Sequence, residues 1–346
     1  MQTQVLDAYS PEAVALAASL FSRGELVGFP TETVYGLGAD ALNRQAVLSI
    51  FAAKGRPADN PLIVHIWHRD LMRGLCTIPD GAESLMDAFW PGPLTMLFPR
   101  TNRIPDEVTA GLPTVAVRMP SLACTRELLR VCDRPIAAPS ANRSGRPSPT
   151  TAAHVLEDMD GRIPLILDGG ECQVGLESTV LDLTHGQPTI LRPGGITREM
   201  IESVLQREVA LAGSILRPLQ PEEKALSPGM RYKHYAPKGN VTLVEGQEEK
   251  VIQALREHCL QDREAGLKSC VLCFAEHVSQ LTDCSPHNIG SKKNDAEVAH
   301  RLFDVLRRLD QEGMETIYSE IVPPEGVGLA VMNRLGRAAA FRTIRV

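Results

Sequence analysis

The chain has 346 residues, of which 43% are hydrophobic and 23% charged, with a formal net charge of −6. These values fit two globular domains with separate cores, and the acidic balance excludes the strongly positive overall field of many nucleic-acid-binding proteins. Aromatic residues make up only 4%, so the cores must be built from aliphatic side chains, as in α/β proteins. Because no apolar run reaches the roughly 18–20 residues of a membrane span and no leader pattern is present, we expect a cytoplasmic protein.

The eight cysteines are scattered along the chain. The one close pair, Cys270 and Cys273, lies in an apolar run typical of a buried strand, where positions three apart face opposite sides of the sheet. A lone C-x-x-C is weak evidence for zinc. We therefore predict reduced, structural thiols and no metal site.

The first elements lead into a polar loop. A helix is predicted from Ser10 to Gly24, followed by a strand over 26–29 that Pro30 stops. The next residues, 31–38, are polar and rich in glycine, which predicts a functional loop. A second helix is predicted from the N-cap Asn43 to a C-terminal glycine stop at residue 55.

Two cations, Lys54 and Arg56, flank that glycine just before Pro57. Cations held two residues apart on a restricted turn suit a polyphosphate. Alternatively, Lys54 only complements the helix macrodipole, which is worth about 0.3–1 kcal/mol. In either case the turn should be exposed, so that removal of Lys54 would leave stability nearly unchanged.

The following pattern predicts an α/β sheet with polar residues at strand ends. Arg118 lies near the end of one strand, and another strand runs directly into Ser140 and Asn142. Ligands of open α/β sheets bind outside the carboxyl ends of strands, which favours a site here, although Ser and Asn also favour ordinary turns. Strands are predicted over 61–66, 94–98, 114–119, 135–139, 165–167, 178–183 and 189–191, and helices over 71–75, 82–89, 125–131, 151–159 and 198–205.

A long connection of poor periodicity covers about 209–239. It contains Tyr232, Lys233, His234, Tyr235 and Pro237, a polar and aromatic group that predicts either a docked linker or a functional segment. Beyond it, strands predicted over 241–244, 270–274 and 317–321 alternate with helices over 248–258, 295–309 and 327–339. This alternation predicts a small parallel α/β domain, without a dinucleotide fingerprint or a Walker A sequence.

Four motifs carry a resemblance to a known family: PTETVYGLG at 30–38, KGRPADNPL at 54–62, SAN at 140–142 and SPGMRYKHYAP at 227–237. Together they resemble the long form of threonylcarbamoyl-AMP synthase. The resemblance implies an α/β fold in which a YrdC-like twisted open-sheet catalytic domain over 1–207 is followed by a linker that serves as a lid over 208–240. A small Rossmann-like parallel α/β domain would complete the chain over 241–346.

The same resemblance implies an L-threonylcarbamoyladenylate synthase, a nucleotidyltransferase. Threonine and bicarbonate would form a carbamate that attacks the α-phosphate of ATP and expels pyrophosphate, for threonylcarbamoyladenosine modification of tRNA. Mg²⁺ would be held mainly by the phosphates. A separate transferase would use the product, and neither stable nucleic-acid binding nor membrane binding is expected.

Site residues follow from the matched motif positions. Lys54, Arg56, Ser140 and Asn142 would hold the phosphates and carry catalysis. Further ATP contacts would come from Asn60, Thr114, Ser148, Arg192 and Tyr235, and the threonine pocket from Thr33, His65, Arg118, Ala138 (through its backbone) and Ser178. From pattern alone, His65 and Ser178 could equally be structural residues.

Two alternative functions remain open at this point. YrdC-like domains present a concave, partly basic surface, so a non-enzymatic RNA-binding module is one alternative. Against it stand the acidic net charge and the lack of aromatic residues interleaved with basic ones. The other is a carbamoyl transferase of hydrogenase maturation, whose expected paired C-x-x-C motifs are missing from this sequence.

Overall fold

A computed structural model describes residues 2–217 and 235–346 of the chain. The described residues divide into two compact units. The first contains 2–144 and 148–214, and the second contains 145–147, 215–217 and 235–346. The expected α/β fold class, a large sheet domain followed by a smaller parallel one, is confirmed.

In the described part of the first unit, strands and helices alternate along the chain. The strands are β1 (Gln4–Asp7), β2 (Val27–Phe29), β3 (Gly36–Asp40), β4 (Ile63–His65), β5 (Leu94–Pro99), β6 (Thr114–Arg118), β7 (Ile136–Ala137), β8 (Leu165–Asp168), β9 (Thr179–Asp182), β10 (Thr189–Arg192) and β11 (Ala210–Leu211). The helices are α1 (Pro11–Ser22), α2 (Arg44–Lys54), α3 (Ala82–Phe89), α4 (Asp106–Thr109), α5 (Ala123–Cys132), α6 (Ala152–Met159) and α7 (Arg198–Leu205).

The sheet of this unit is mixed rather than parallel. Its strand order is β1-β8-β2-β3-β7-β4-β6-β5-β9-β10-β11. Neighbours β4 and β6 run parallel, as do β5 and β9, whereas β5 and β6 run antiparallel. Because strand directions alternate, the carboxyl ends do not share one edge. Strand β11 also extends this sheet beyond residue 207, the end expected for the first domain.

Helix α2 begins and ends as its sequence predicts. The Asn43 side chain accepts hydrogen bonds from the N–H groups of Gln45 and Ala46, and Gly55 ends the helix in the left-handed conformation with φ 66°. Only glycine adopts this conformation without strain, which fixes the turn that follows Lys54.

Strand β3 is a correction to the sequence prediction, which placed its first residues, 36–38, in a loop. It pairs antiparallel with β2 and with β7. A Cβ atom on Gly38 would lie 2.7 Å from a ring carbon of Phe29, so glycine is needed for close packing here rather than for a turn. Glycine in a strand interior gives no alternating pattern, which is why the sequence did not reveal this strand.

The second unit contains a parallel sheet. Its strands are β12 (Asn240–Glu245), β13 (Ser269–Cys273), β14 (Pro286–Asn288), β15 (Thr316–Glu320) and β16 (Thr343–Arg345), and its helices are α8 (Glu248–Glu264), α9 (Asp295–Glu312) and α10 (Gly326–Ala338). The strand order is β14-β13-β15-β12-β16, and β14 and β16 were not predicted. Cys270 and Cys273 are buried free thiols in β13, and burial raises the pKa of each to about 12.

None of the helices in the described ranges combines the length and the apolar character needed to cross a bilayer.

Candidate active site

The loop after β7 is held by the side chain of Lys54. Its Nζ donates hydrogen bonds to the carbonyl oxygens of Ser140 and Asn142, and lies 3.3 Å from Asn142 Oδ1. The Ser140 hydroxyl donates to the same Oδ1 at 2.5 Å. Three residues predicted from separate motifs therefore form one cluster. The expectation that Lys54 is exposed is wrong: it is 3% exposed, because its stem is packed and its ammonium satisfies buried oxygens of the loop.

Arg56 lies two residues further along the same turn. It is half-buried, and its guanidinium carbon lies 5.3 Å from the centroid of the Phe51 ring in α2. This cation–π contact helps to orient the long side chain of Arg56.

Asn60 precedes β4, and Thr114 is the first residue of β6. In the register of these two parallel strands, Ile63 pairs with Ala116. Asn60 is 1% exposed, and neither atom of its side-chain amide has a hydrogen-bond partner among the described residues. Leaving a buried polar group unsatisfied costs about 1–3 kcal/mol, so this amide is suited to a ligand.

Arg118, at the end of β6, forms a buried ion pair that the sequence analysis missed. Its Nη2 lies 2.6 Å from Glu32 Oε1, and both side chains are 4% exposed. Its Nη1 donates to the Thr33 hydroxyl at 2.8 Å. A buried arginine requires a compensating carboxylate, and the acid in the motif at 30–38 is the signal that could have identified Glu32.

His65 lies beside Arg118 in the β4–β6 register. Burial, reinforced by the charge of Arg118, lowers the pKa of His65 to about 3. Its Nδ1 is 3.2 Å from the carbonyl oxygen of Ile63, and the ring also hydrogen-bonds the backbone of Ile136. His65 is accordingly neutral at physiological pH.

Ser178 is held from two sides. Its hydroxyl lies 2.8 Å from the hydroxyl of Thr95, and Arg192 donates from Nη2 to the same oxygen at 3.2 Å. Thr95 is fully buried in β5 and opposite Arg118, but the apolar pattern of that strand concealed it. Next to Ser178, Glu177 accepts a hydrogen bond from the hydroxyl of Ser148.

These groups lie on one face of the sheet. Because side chains alternate along a strand, Thr114, Ala116 and Arg118 share a face of β6, and Ile63 and His65 lie on the same face of β4. The middle of this face is apolar, with a cluster that contains Ile63, Ala116, Leu97, Val180 and Leu191. Ala138, also buried, donates its N–H to the Ile63 carbonyl. At about 3.3 Å per residue, the polar groups at the two ends of β6 lie about 13 Å apart.

Tyr235 belongs to the second unit. Its ring stacks on Phe303 with centroids 5.3 Å apart, and the guanidinium carbon of Arg334 lies 5.7 Å from the ring centroid. The next residue, Ala236, donates its N–H to the carbonyl of Gly145. Tyr232, Lys233 and His234 lie outside the described residues. A nucleotide contact by Tyr235 stays a prediction.

Across residues 2–217 and 235–346, no group of three or more His, Cys, Asp or Glu side chains could hold a metal ion.

Comparison with known proteins places this site in a family. Residues 19–194 match the domain family described as telomere recombination, and residues 196–340 match the threonylcarbamoyl-AMP synthase C-terminal domain. The threonylcarbamoyl-AMP synthase of Pyrococcus abyssi is 46% identical over 338 residues, with 96% of each chain covered. That of Bacillus subtilis is 44% identical over 345 residues, covering 99% of this chain and 97% of the relative.

A solved structure agrees with these matches. The crystal structure of P. abyssi Sua5 complexed with L-threonine superposes with a TM-score of 0.93 at 44% identity, covering 99% of this chain and 100% of that one. The fold and the matches define a two-domain protein with an N-terminal YrdC-like unit and a Sua5-type C-terminal unit. The chain belongs to the threonylcarbamoyl-AMP synthase family, which confirms the resemblance found in its motifs.

The buried pair predicts a large effect of removing one partner. Glu32→Ala leaves Arg118 buried without its counter-charge, and we expect it to lower the free energy of unfolding by about 3–5 kcal/mol. Urea denaturation at pH 7 measures this. As a control, Glu25→Ala breaks the exposed Arg23–Glu25 pair and should cost less than about 1 kcal/mol. If the free energy of unfolding fell by the same small amount in Glu32→Ala and Glu25→Ala, the role assigned to the Arg118–Glu32 pair would be contradicted.

His65 predicts a loss of stability in acid. Its pKa falls from an ordinary value of 6.5 to about 3 on folding, so between these values the unfolded chain binds a proton that the folded chain does not. The contribution of neutral His65 is complete above pH 6.5 and declines as the pH falls, by up to about 1.4 kcal/mol per pH unit. His65→Gln removes this dependence, whereas the control His68→Gln, at an exposed histidine, should retain it. Parallel wild-type and His65→Gln curves in urea unfolding from pH 8 to 4 would contradict the assignment.

Proposed function

We propose that this protein is an L-threonylcarbamoyladenylate synthase that condenses L-threonine, bicarbonate and ATP and releases pyrophosphate. One observation carries the proposal. A single face of the sheet has Arg118 at one end and, at the other, the polar loop of Ser140 and Asn142 that Lys54 holds. Relatives named threonylcarbamoyl-AMP synthase at 44–46% identity support it. They favour it over an RNA-binding module or a hydrogenase-maturation transferase.

The reaction needs positioning more than protein chemistry. A carbamate oxygen of N-carboxythreonine attacks the α-phosphorus of ATP, and the bond from that phosphorus to the bridging oxygen of pyrophosphate breaks. No protein nucleophile takes part. The site must align the reactants and stabilise the charge that moves onto pyrophosphate, and fixed donors in a site without bulk water do both.

Threonine is proposed to bind at the Arg118 end. The guanidinium has five N–H groups, so a substrate carboxylate can bind beside Glu32, with Thr33 holding the arginine in place. His65, neutral because of burial, would line the same pocket. The proposed pocket is completed by Ser178 and the backbone of Ala138.

ATP is proposed to bind toward the loop of Ser140 and Asn142. Lys54 holds that loop through its carbonyl oxygens and adds positive charge beneath the phosphates. The buried amide of Asn60 provides a donor and an acceptor that a nucleotide can satisfy. The remaining proposed contacts are Arg56, Thr114, Ser148, Arg192 and Tyr235.

Mg²⁺ is proposed to enter with ATP. The hydroxyl and amide oxygens of Ser140 and Asn142 are hard donors that suit this ion, and Mg²⁺ commonly keeps several waters and substrate phosphates as ligands. When bound, it would neutralise charge on the phosphates. Lys54 would act on the same phosphates without contacting the ion.

The connection expected over 208–240 is proposed to serve as a lid that excludes water from the labile mixed anhydride. Tyr235 lies at its end and is anchored by Phe303 and Arg334. The C-terminal domain, expected over 241–346, would hold that anchor. In a cytoplasmic setting the product would pass to a separate tRNA transferase, without stable binding of nucleic acid by this chain.

The first test is pyrophosphate release from ATP with threonine and bicarbonate each omitted in turn. The proposal requires both, so either omission should reduce release to the background of a reaction without enzyme. Arg118→Lys keeps the charge but loses the two-pronged grip on a carboxylate, and should raise KM for threonine more than KM for ATP. Release that needs neither threonine nor bicarbonate would refute the proposed function.

The lid predicts a loss of product protection. In the full chain, Tyr235→Ala should raise the ratio of AMP to intact threonylcarbamoyl-AMP, because water reaches the anhydride more often. Tyr235→Phe, which keeps the ring on Phe303, and Tyr9→Ala, at an exposed tyrosine of the first unit, serve as controls. Chromatographic measurement of both products gives the ratio. An unchanged ratio in Tyr235→Ala with normal thermal stability would contradict the lid.

A further inference from the structure

The second unit contains a cavity that the proposed reaction does not use. It has a volume of about 230 Å³ and lies where β12, β13 and β15 end, lined there by Gly246, Phe274 and Ile321. Pockets that enclose drug-sized ligands measure about 300–1,000 Å³, so this cavity is suited to a smaller molecule.

Its position is the one at which parallel α/β sheets bind ligands. Strands β12 and β15 are neighbours. After β12 the chain passes through α8 to β13, which lies on the other side of β15. After β15 it passes through α10 to β16, which lies on the other side of β12. The two connections run in opposite directions, so right-handed crossovers place them on opposite faces of the sheet, which opens a crevice between the carboxyl ends of these strands.

One wall of the cavity is a buried pair of a histidine and a glutamate. His277 Nδ1 lies 2.7 Å from Glu320 Oε1, and both side chains are more than nine-tenths buried. The other oxygen, Glu320 Oε2, accepts the N–H of Phe274 at 2.7 Å. Burying such a pair is expensive unless its geometry is fixed, and here three elements fix it.

The rim carries a second pair of opposite charge. Glu248 Oε1 lies 3.4 Å from His277 Nε2, and Lys292 Nζ donates to Glu248 Oε2 at 2.7 Å. These rim side chains are 56% and 35% exposed, respectively, so either can turn toward a ligand at little cost. The cavity thus presents an exposed cation and an exposed carboxylate next to each other above apolar walls.

The chemistry of the cavity argues against a phosphate ligand. In dinucleotide-binding folds the pyrophosphate sits at the helix after the first strand. Here that helix, α8, begins with Glu248 and Glu249, and Glu320 adds a third carboxylate. The carboxylates at the helix N-terminus already interact with the positive end of the helix dipole, and their negative charge would repel an anionic ligand there.

We propose that this cavity binds a free α-amino acid as its zwitterion. Glu248 would hold the ammonium group and Lys292 the carboxylate, and the side chain would lie against Val251, Phe274 and Ile321. In the structure Glu248 and Lys292 contact each other across the rim. Their charges are opposite to those of the ammonium and carboxylate groups that they would bind in such a ligand. This inference does not depend on the proposed function of the first unit.

Equilibrium dialysis of the full chain against each of the twenty radiolabelled amino acids, without ATP or bicarbonate, tests the proposal. Glu248→Gln and Lys292→Gln should each raise the Kd of at least one amino acid tenfold or more. Glu249→Gln and Lys293→Gln change adjacent exposed residues and should alter it less than twofold. The first unit is also proposed to bind threonine. If the cavity binds threonine as well, Glu248→Gln and Lys292→Gln should each lose one of two threonine sites.

Two results would overturn the proposal. One is that no amino acid binds with an affinity that depends on both Glu248 and Lys292 but not on their neighbours. The other is that the same two variants weaken the binding of AMP instead. Thermal melting of each variant establishes that it is folded, and its pyrophosphate release, measured separately, shows whether the first unit is intact.

Discussion

The candidate site depends on one constraint, the burial of the Arg118 guanidinium in the face of a sheet. A charge that is 4% exposed is tolerated only when a counter-charge and several acceptors surround it. Glu32 supplies the charge and Thr33 an acceptor, so the loop after β2 must fold back over β6. The same arginine lies in register with His65 and Thr95. Its burial therefore organises three strands and one loop at once.

Much of the framework could be predicted because its signals are local. The caps of α2 at Asn43 and Gly55, and the alternation of β6, act within a few residues of chain. Family motifs added the site residues that the pattern alone left open. Thr95 could not be found in this way, because its role arises only when distant strands pair, and Glu32 was marked only by its place in the motif at 30–38. Exposure was misjudged at Lys54 for the same reason, since the loop that buries it lies more than eighty residues away in sequence.

The second unit shows a different relation between fold and chemistry. Its parallel sheet follows the usual α/β topology, and the crevice that this topology creates is present. The glycine-rich turn and free helix N-terminus of a nucleotide site are replaced by glutamates and a histidine. A fold therefore supplies the location of a site, and the side chains at the strand ends determine what can bind there.

The division of the chain has a consequence for its evolution and engineering. Residues 145–147 cluster with the second unit, while Asn142 before them and Ser148 after them belong to the first. Within the second unit, Gly145 and Pro147 each accept a hydrogen bond, from Ala236 and from Arg307 respectively. A single cut in the chain therefore cannot separate the N-terminal unit from the second unit. A shortened descendant of this chain would leave the carbonyl oxygens of Gly145 and Pro147 without the hydrogen bonds that the second unit donates.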